Sequence, residues 1–362
     1  MKLFGKRIKK DSPIPEETFK SRVEEFWSWW AEHAERIRKS VDETGGASIQ
    51  PEVSAAVNKL GPGFGWVFGP HPEGKGFGHS FTLSPEGIRS HLFLTSYWLK
   101  LAPQVEGWQF FSSRQASKDF AGFSLQMHEQ ELKVNELWLT PEIDHDHEVI
   151  HITAWTPLFK DIPENQAYQI LFLLLDEALG ENGVSQWLGK ITIEDGKLAQ
   201  SFPLSELPAQ IEEAQKENGW KMLPLEETYV LYSLKNPGNE FSRHDMLSLN
   251  TSFSGLALDY LEGGGKVDNP IPNTGAAFLF IEIPIEHFPD GEQVNVRGRL
   301  EDEINEILRS NHSGRVFGGG LGRNAAYIDL IVYDGKESSN LINNFIVEKN
   351  IQGAQLVPFC ER

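Results

Sequence analysis

Apolar residues first recur with a clear period at Phe19, Val23, Phe26, Trp30 and Ile37, with Trp27 and Ala34 flanking the stripe. That spacing lines one face of a long amphipathic helix, and Gly45-Gly46 ends it. Ser12-Pro13-Ile14-Pro15-Glu16-Glu17 reads as its entry, with acids where the helix dipole favours them. Pro51 opens a shorter helix that runs to Leu60. Residues 61–78 hold seven glycines with aromatics between them. They predict either a mobile loop over a ligand cleft or a twisted hairpin, and the hairpin fits better, with its second strand over 79–83. A helix over 89–102, closed by Pro103, and a strand over 107–113 come next. Alternation at Leu137 and Leu139, and again over 148–155, predicts strands. The apolar run 165–179 predicts a helix stopped by Gly180 and Gly183, then a strand over 188–193 and a helix over 205–218.

Residues 229–234 read as a strand, while 246–261 fits neither period well. Glycines and prolines then crowd 262–274, which leaves little to pack and reads as a linker. Beyond it the order is strand 276–284, helix 297–310, strands 315–317 and 327–333, helix 338–349 and strand 354–359. This β-α-β-β-α-β order is that of a ferredoxin-like module. The expected fold class is therefore α+β, a larger N-terminal region followed by that module. The expected division is a basic tail over 1–18, an N-terminal domain over 19–200, a connecting region over 201–261 packed on it, the linker over 262–274 and the ferredoxin-like domain over 275–362. No internal repeat of fixed period is visible.

At 362 residues the chain exceeds the roughly 250–300 at which single cores stop growing, which agrees with two or three domains. The only cysteine, Cys360, excludes an intramolecular disulfide and suits a reducing compartment. No run of about 20 apolar residues is present to span a bilayer. The basic start lacks the apolar stretch of a secretory signal, so a soluble cytoplasmic protein is expected.

Charge changes this picture most. Net charge is −19, yet the first ten residues hold five basic groups and no acid, so the other 352 carry 28 basic against 52 acidic groups, a net −24. Such a body is repelled from nucleic acid and anionic membrane. It points instead to a protein partner with a basic face.

Three segments carry candidate chemistry. Asp144, His145, Asp146, His147 and Glu148 precede His151, a cluster of imidazoles and carboxylates of the kind that holds zinc or another divalent metal. His147-Glu148-x-x-His151 also matches the zincin pattern, two ligands one helical turn apart with Glu148 as general base. The pattern needs a helix, and the β-branched Val149, Ile150, Ile152 and Thr153 favour a strand, in which the two histidines stand ~13 Å apart. Beyond that divalent metal no cofactor is indicated. Gly318, Gly319, Gly320 and Gly322 lie between Arg315 and Arg323, a possible cradle for a small anionic ligand if the N–H groups are free. The plainer reading is a bulged hairpin bend with positive φ. Ser242-Arg243-His244-Asp245 is contiguous, unlike a folded catalytic triad, and reads as a polar loop capping the segment after it.

Phe26-Trp27-Ser28-Trp29-Trp30, then Ala102-Pro103 and Gly107-Trp108-Gln109-Phe110, resemble a family of uncharacterised bacterial proteins with an N-terminal Phe-Trp-x-Trp-aromatic helix. The likeness covers about residues 19–195. It implies bacterial origin and, because some such families sit near toxin–immunity loci, an immunity or interaction role. The leading expectation is a non-enzymatic binding or regulatory protein with an acidic surface. A metal-dependent hydrolase at 144–151 is the second, and an anionic-ligand sensor in the C-terminal module the third.

Overall fold

The computed structural model describes residues 17–127, 130–235 and 237–360. The expected basic tail and the helix entry from Ser12 lie, up to Glu16, outside the described residues. In chain order the elements are α1 (Phe19–Thr44), α2 (Gln50–Leu60), β1 (Gly65–Pro70), β2 (His79–Ser84), α3 (Arg89–Lys100) and β3 (Trp108–Phe111). Next come β4 (Ser124–Met127), β5 (Gln130–Lys133), β6 (Trp138–Asp144), β7 (Val149–Trp155), α4 (Glu164–Trp187), β8 (Leu188–Ile193), β9 (Phe202–Pro203) and α5 (Leu207–Asn218). The remainder is β10 (Val230–Ser233), β11 (Met246–Thr251), α6 (Ser254–Glu262), β12 (Ala277–Pro284), α7 (Gln293–Ser310), β13 (Gly314–Gly322), β14 (Ala325–Val332), α8 (Gly335–Glu348) and β15 (Gln355–Pro358). The protein is thus mixed α+β, with eight α-helices and four sheets among the described residues. No helix among those residues is long and apolar enough to cross a membrane.

Two compact units divide the chain. One takes the residues up to Phe64, Leu101–Pro103 and Glu226 onward; the other takes Gly65–Lys100 and Gln104–Leu225. This division differs from the expected one, and main-chain pairing is the reason. β11, from the expected connecting region, pairs with β13 from Thr251↔Gly318 to Met246↔Gly322. That ladder ties the residues on both sides of 262–274 into one sheet, and within the segment Ile271 and Thr274 are buried. Helix α1 belongs to the same unit: Lys20 N–H donates to Tyr333 O at 2.9 Å, and Arg22 Nη1 donates to Asn273 O at 2.7 Å.

Helix α1 buries Phe19, Val23, Phe26, Trp27, Trp30, Ala34 and Ile37, the stripe that its spacing predicts. It starts at Thr18, whose hydroxyl accepts from Ser21 N–H while Ser21 Oγ accepts from Thr18 N–H. This capping box satisfies end donors that the expected acidic entry was to have served. In the same unit six strands lie in the order β10-β11-β13-β14-β12-β15, all neighbours antiparallel. One face buries Ile281, Ile283, Ile328 and Leu330 against Ile304 and Leu308 of α7 and Ile342 and Phe345 of α8. The other presents a cluster of aromatic rings, Phe278, Phe280, Phe317 and Tyr327, packed with Phe253, Tyr260 and Phe359. Successive strand residues point to opposite faces, so a strand buried on both faces reads as a continuous apolar run. β14 does so apart from Asp329, and all eight of its residues are buried.

The second unit uses one motif twice. Hairpin β1–β2 is followed by α3 and by β3 parallel to β2; hairpin β6–β7 is followed by α4 and by β8 parallel to β7. Helix α4 lays Leu171, Leu174 and Leu175 on Leu139, Ile150 and Ile152, with Ile211 of α5 in the same core. It does not stop at Gly180. That residue kinks it at φ 72°, ψ 158°, and the helix resumes to Trp187. A Cβ on Gly180 would stand 2.9 Å from Arg114 O, so only glycine allows this approach.

Candidate functional site

Residues 144–151 form a hairpin turn, not a helix. Asp144 ends β6 opposite Val149, and His145, Asp146, His147 and Glu148 make the loop. Asp144 Oδ1 accepts from the N–H groups of Asp146 (3.0 Å) and His147 (3.1 Å), and His147 Nδ1 lies 2.8 Å from its Oδ2. The His147 ring and these N–H groups hold the Asp144 carboxyl below its ordinary range. Glu148 is exposed at φ 55°, a left-handed turn position, so the zincin helix is absent and Glu148 has no base role within one.

His151, on β7, brings Nε2 to 3.6 Å from Asp144 Oδ2, but its Nδ1 accepts Lys190 N–H at 2.9 Å. That backbone donor occupies the lone pair of Nδ1. His145 and Asp146 are exposed at the turn. Among the described residues no group of three or more His, Cys, Asp or Glu side chains is arranged to hold a metal ion.

The glycine run is not a bend either. Gly318, Gly319, Gly320 and Gly322 lie inside β13, none at positive φ, and the turn is Arg323-Asn324. A bulge does occur, between Val316 and Gly318. The glycines serve close packing: a Cβ would meet Thr251 at Gly318, Met246 and Ser248 O at Gly320, and Asp245 at Gly322. Their strand is paired on both sides, by β11 and by β14, which leaves no open cradle. Arg315 lies near the start of this strand and Arg323 in the turn just beyond its end, eight residues on, with the strand's rise of about 3.3 Å per residue between them. Arg315 Nη2 donates to Glu226 O at 3.0 Å, and Arg323 is exposed. The two guanidiniums and the glycines therefore do not converge on one anion.

The polar loop 242–245 caps a distant turn rather than the segment after it. Asp245 Oδ2 accepts from Asn324 N–H (2.7 Å) and Ala325 N–H (3.2 Å), and its Oδ1 accepts from Tyr327 OH (2.6 Å). Arg243 and Asp329 are paired with both side chains fully buried, Nη2 donating to Oδ2 at 3.1 Å. The guanidinium lies 4.9–5.1 Å from the ring centres of Phe280, Tyr327 and Phe359.

A cleft of about 940 Å³ opens in the second unit, and all of its lining belongs to that unit. Its polar part gathers Glu86, Arg114, Asp176 and Glu181, and its apolar wall includes Leu92, Tyr168, Phe172, Leu188 and Ile191. The α4 kink builds the polar part. It turns Glu181 so that Oε1 accepts from Ser84 Oγ and Oε2 from Arg114 N–H, both at 2.7 Å. Arg114 Nη2 donates to Glu86 Oε1 at 2.6 Å. The Asp176 carboxylate accepts no hydrogen bond from the described residues.

Burial pushes the Asp176 carboxyl up to about 7; Glu181, Glu86 and Glu177 add to this and Arg114 opposes it. Burial also raises Glu177. Tyr168, Phe172 and Asp176 stand at intervals of four on α4, so two aromatic rings lead along one helix face to that carboxylate. The rings of Tyr168 and Phe172 lie 6.5 Å apart, and Phe172 is 43 % exposed.

No protein-family model, curated protein or solved structure matches this chain. The cleft therefore rests on its own geometry, and sequence reasoning missed it. Asp176 and Glu177 do stand out as the first charges after the apolar run 168–175, and that interruption is the signal that was present.

Proposed function

We propose that this protein is a non-enzymatic binding or regulatory protein, immunity-like in role, that holds a protein partner with a basic face on its acidic surface. The observation that carries this reading is the acid excess of the second unit, part of which is gathered in one cleft. That unit holds 22 Asp and Glu against 11 Lys and Arg, and three of its carboxylates line one cleft beside a single arginine. An acidic field of this kind speeds encounter with a basic partner and disfavours acidic competitors. A cytoplasmic location suits the reading, as does an acidic body that nucleic acid and anionic membrane repel. We also propose that residues 275–362 constitute a ferredoxin-like unit. Supporting this are the strand order β15-β12-β14-β13 and the packing of α7 and α8 on one face.

Affinity capture from host lysate tests the function. At about 50 mM salt a basic protein is expected to be retained, and at about 500 mM, where screening is nearly complete, released. Recovery of no partner, or of partners held equally at both salts, overturns the reading.

A further inference from the structure

We infer that the cleft of the second unit receives an arginine side chain presented by the partner, its guanidinium against Asp176 and its stem along Phe172 and Tyr168. This inference rests on the binding reading above and adds to it the place, the residue type and the contacts.

Charge selects a cation. The cleft holds Glu86, Asp176 and Glu181 with Arg114 as counter-charge, and hydrogen bonding removes two of the three acids from play. Glu86 is taken by Arg114, and Glu181 by Ser84 and Arg114 N–H. The Asp176 carboxylate is left without a hydrogen-bond donor among the described residues.

The shape of the wall selects arginine over lysine. A guanidinium is planar, stacks on aromatic faces and donates in a fork that matches a carboxylate, while an ammonium is a compact, strongly hydrated point charge. Here two rings stand four and eight residues before the carboxylate on one helix face, spanning about 12 Å at 1.5 Å per residue. The molecule already uses the same combination internally, where Arg243 sits among Phe280, Tyr327 and Phe359 and pairs with Asp329.

A macromolecular source fits better than a small cation. The cleft's 940 Å³ exceeds what one side chain fills, and Phe172 keeps 43 % of its surface in water until something covers it. The surrounding unit carries the twofold acid excess that a basic face would meet.

Binding should also be linked to protons. The groups facing Asp176 are Glu177 and Glu181 on its own helix, Glu86 after β2 and Arg114 after β3. An arriving guanidinium favours the ionised form of Asp176, so affinity should rise with pH and level off above about 7.

The test uses the full-length chain and a 12-residue peptide with one central arginine flanked by glycine and alanine, titrated by calorimetry. A second peptide carries lysine in place of the arginine. Asp176→Asn is expected to weaken binding of the arginine peptide about tenfold, the loss of one charge-assisted contact. Phe172→Ala should weaken it several-fold, and both variants should unfold thermally no more than about 2 °C below wild type. Affinity for wild type should increase from pH 6 to pH 8, and for Asp176→Asn it should stay flat.

Equal binding by Asp176→Asn overturns the inference. So does equal binding of the lysine peptide, which lacks the guanidinium. Argininamide binding as tightly as the arginine peptide would show a small-molecule site and also overturns it. A salt-sensitive partner captured equally by wild type and Asp176→Asn would remove the cleft while the binding reading stands; capture by neither removes both.

Discussion

Arg243 has a left-handed backbone (φ 74°) and a side chain with no exposed surface, and its carboxylate partner, Asp329, is 86 residues away. Two charges withdrawn from water tolerate this only while each has the other, because an isolated buried charge costs several kcal/mol. Arg243→Met, which keeps the stem and removes the charge, leaves Asp329 unpaired beneath the aromatic cluster. It is expected to destabilise the protein by about 3–5 kcal/mol, measured by urea unfolding. Half of this pair is legible in the sequence. Asp329 interrupts the apolar run Tyr327-Ile328-Asp329-Leu330-Ile331, and a charge inside a buried strand demands a counter-ion. Which arginine supplies it is not legible, because Arg243 sits in a run with no periodicity. Asp176 obeys the same logic: its place after an apolar run is visible, but Glu86 and Arg114, which shift its affinity for a proton in opposite directions, come from two segments distant along the chain.

Helices are more legible than strands, and the glycine run shows why. An amphipathic helix announces its buried face through its own spacing, as α1 and α7 do, whereas a glycine's role depends on its neighbours in space. Gly318 to Gly322 suggest a bend, since glycine is the usual residue there. The structure makes them a central strand because atoms of β11, of β14, of α7 and of Asp245 occupy the space where Cβ atoms would go. Gly320→Ala would place a methyl 2.2 Å from both Ser248 O and Met246 Cε. The expected cost is about 1–3 kcal/mol, as for overpacking elsewhere, seen as a lower urea midpoint with an unchanged slope. The segment 246–261 is ambiguous for a related reason. It is strand β11 and then, two residues on, helix α6, and averaging over both hides either period.

For the whole molecule the prominent quantity is negative charge, and two half-buried acids tie it to stability. Asp176 is pushed up to about 7, and so is Glu301, chiefly by burial, with Arg297 opposing. In the folded state each holds a proton that the unfolded chain has released above its ordinary range near pH 4. Between about pH 4 and 7 the native state therefore binds more protons, and stability falls as pH rises through that window and levels off above it. Self-repulsion among the other acids acts in the same direction. Thermal unfolding should show a lower midpoint at pH 8 than at pH 5.5, and the double variant Asp176→Asn, Glu301→Gln should flatten that difference. The sequence by itself determined the α+β class, the long first helix and the acidic imbalance, because composition and local period are properties of the chain alone. Tertiary structure decided that 144–151 is a turn pinned by Asp144, and that β11 pairs onto β13. It also decided that Glu86, Arg114, Asp176 and Glu181 share one cleft. These are contacts between residues distant along the chain, and local periodicity carries no information about which distant backbone or side chain will arrive.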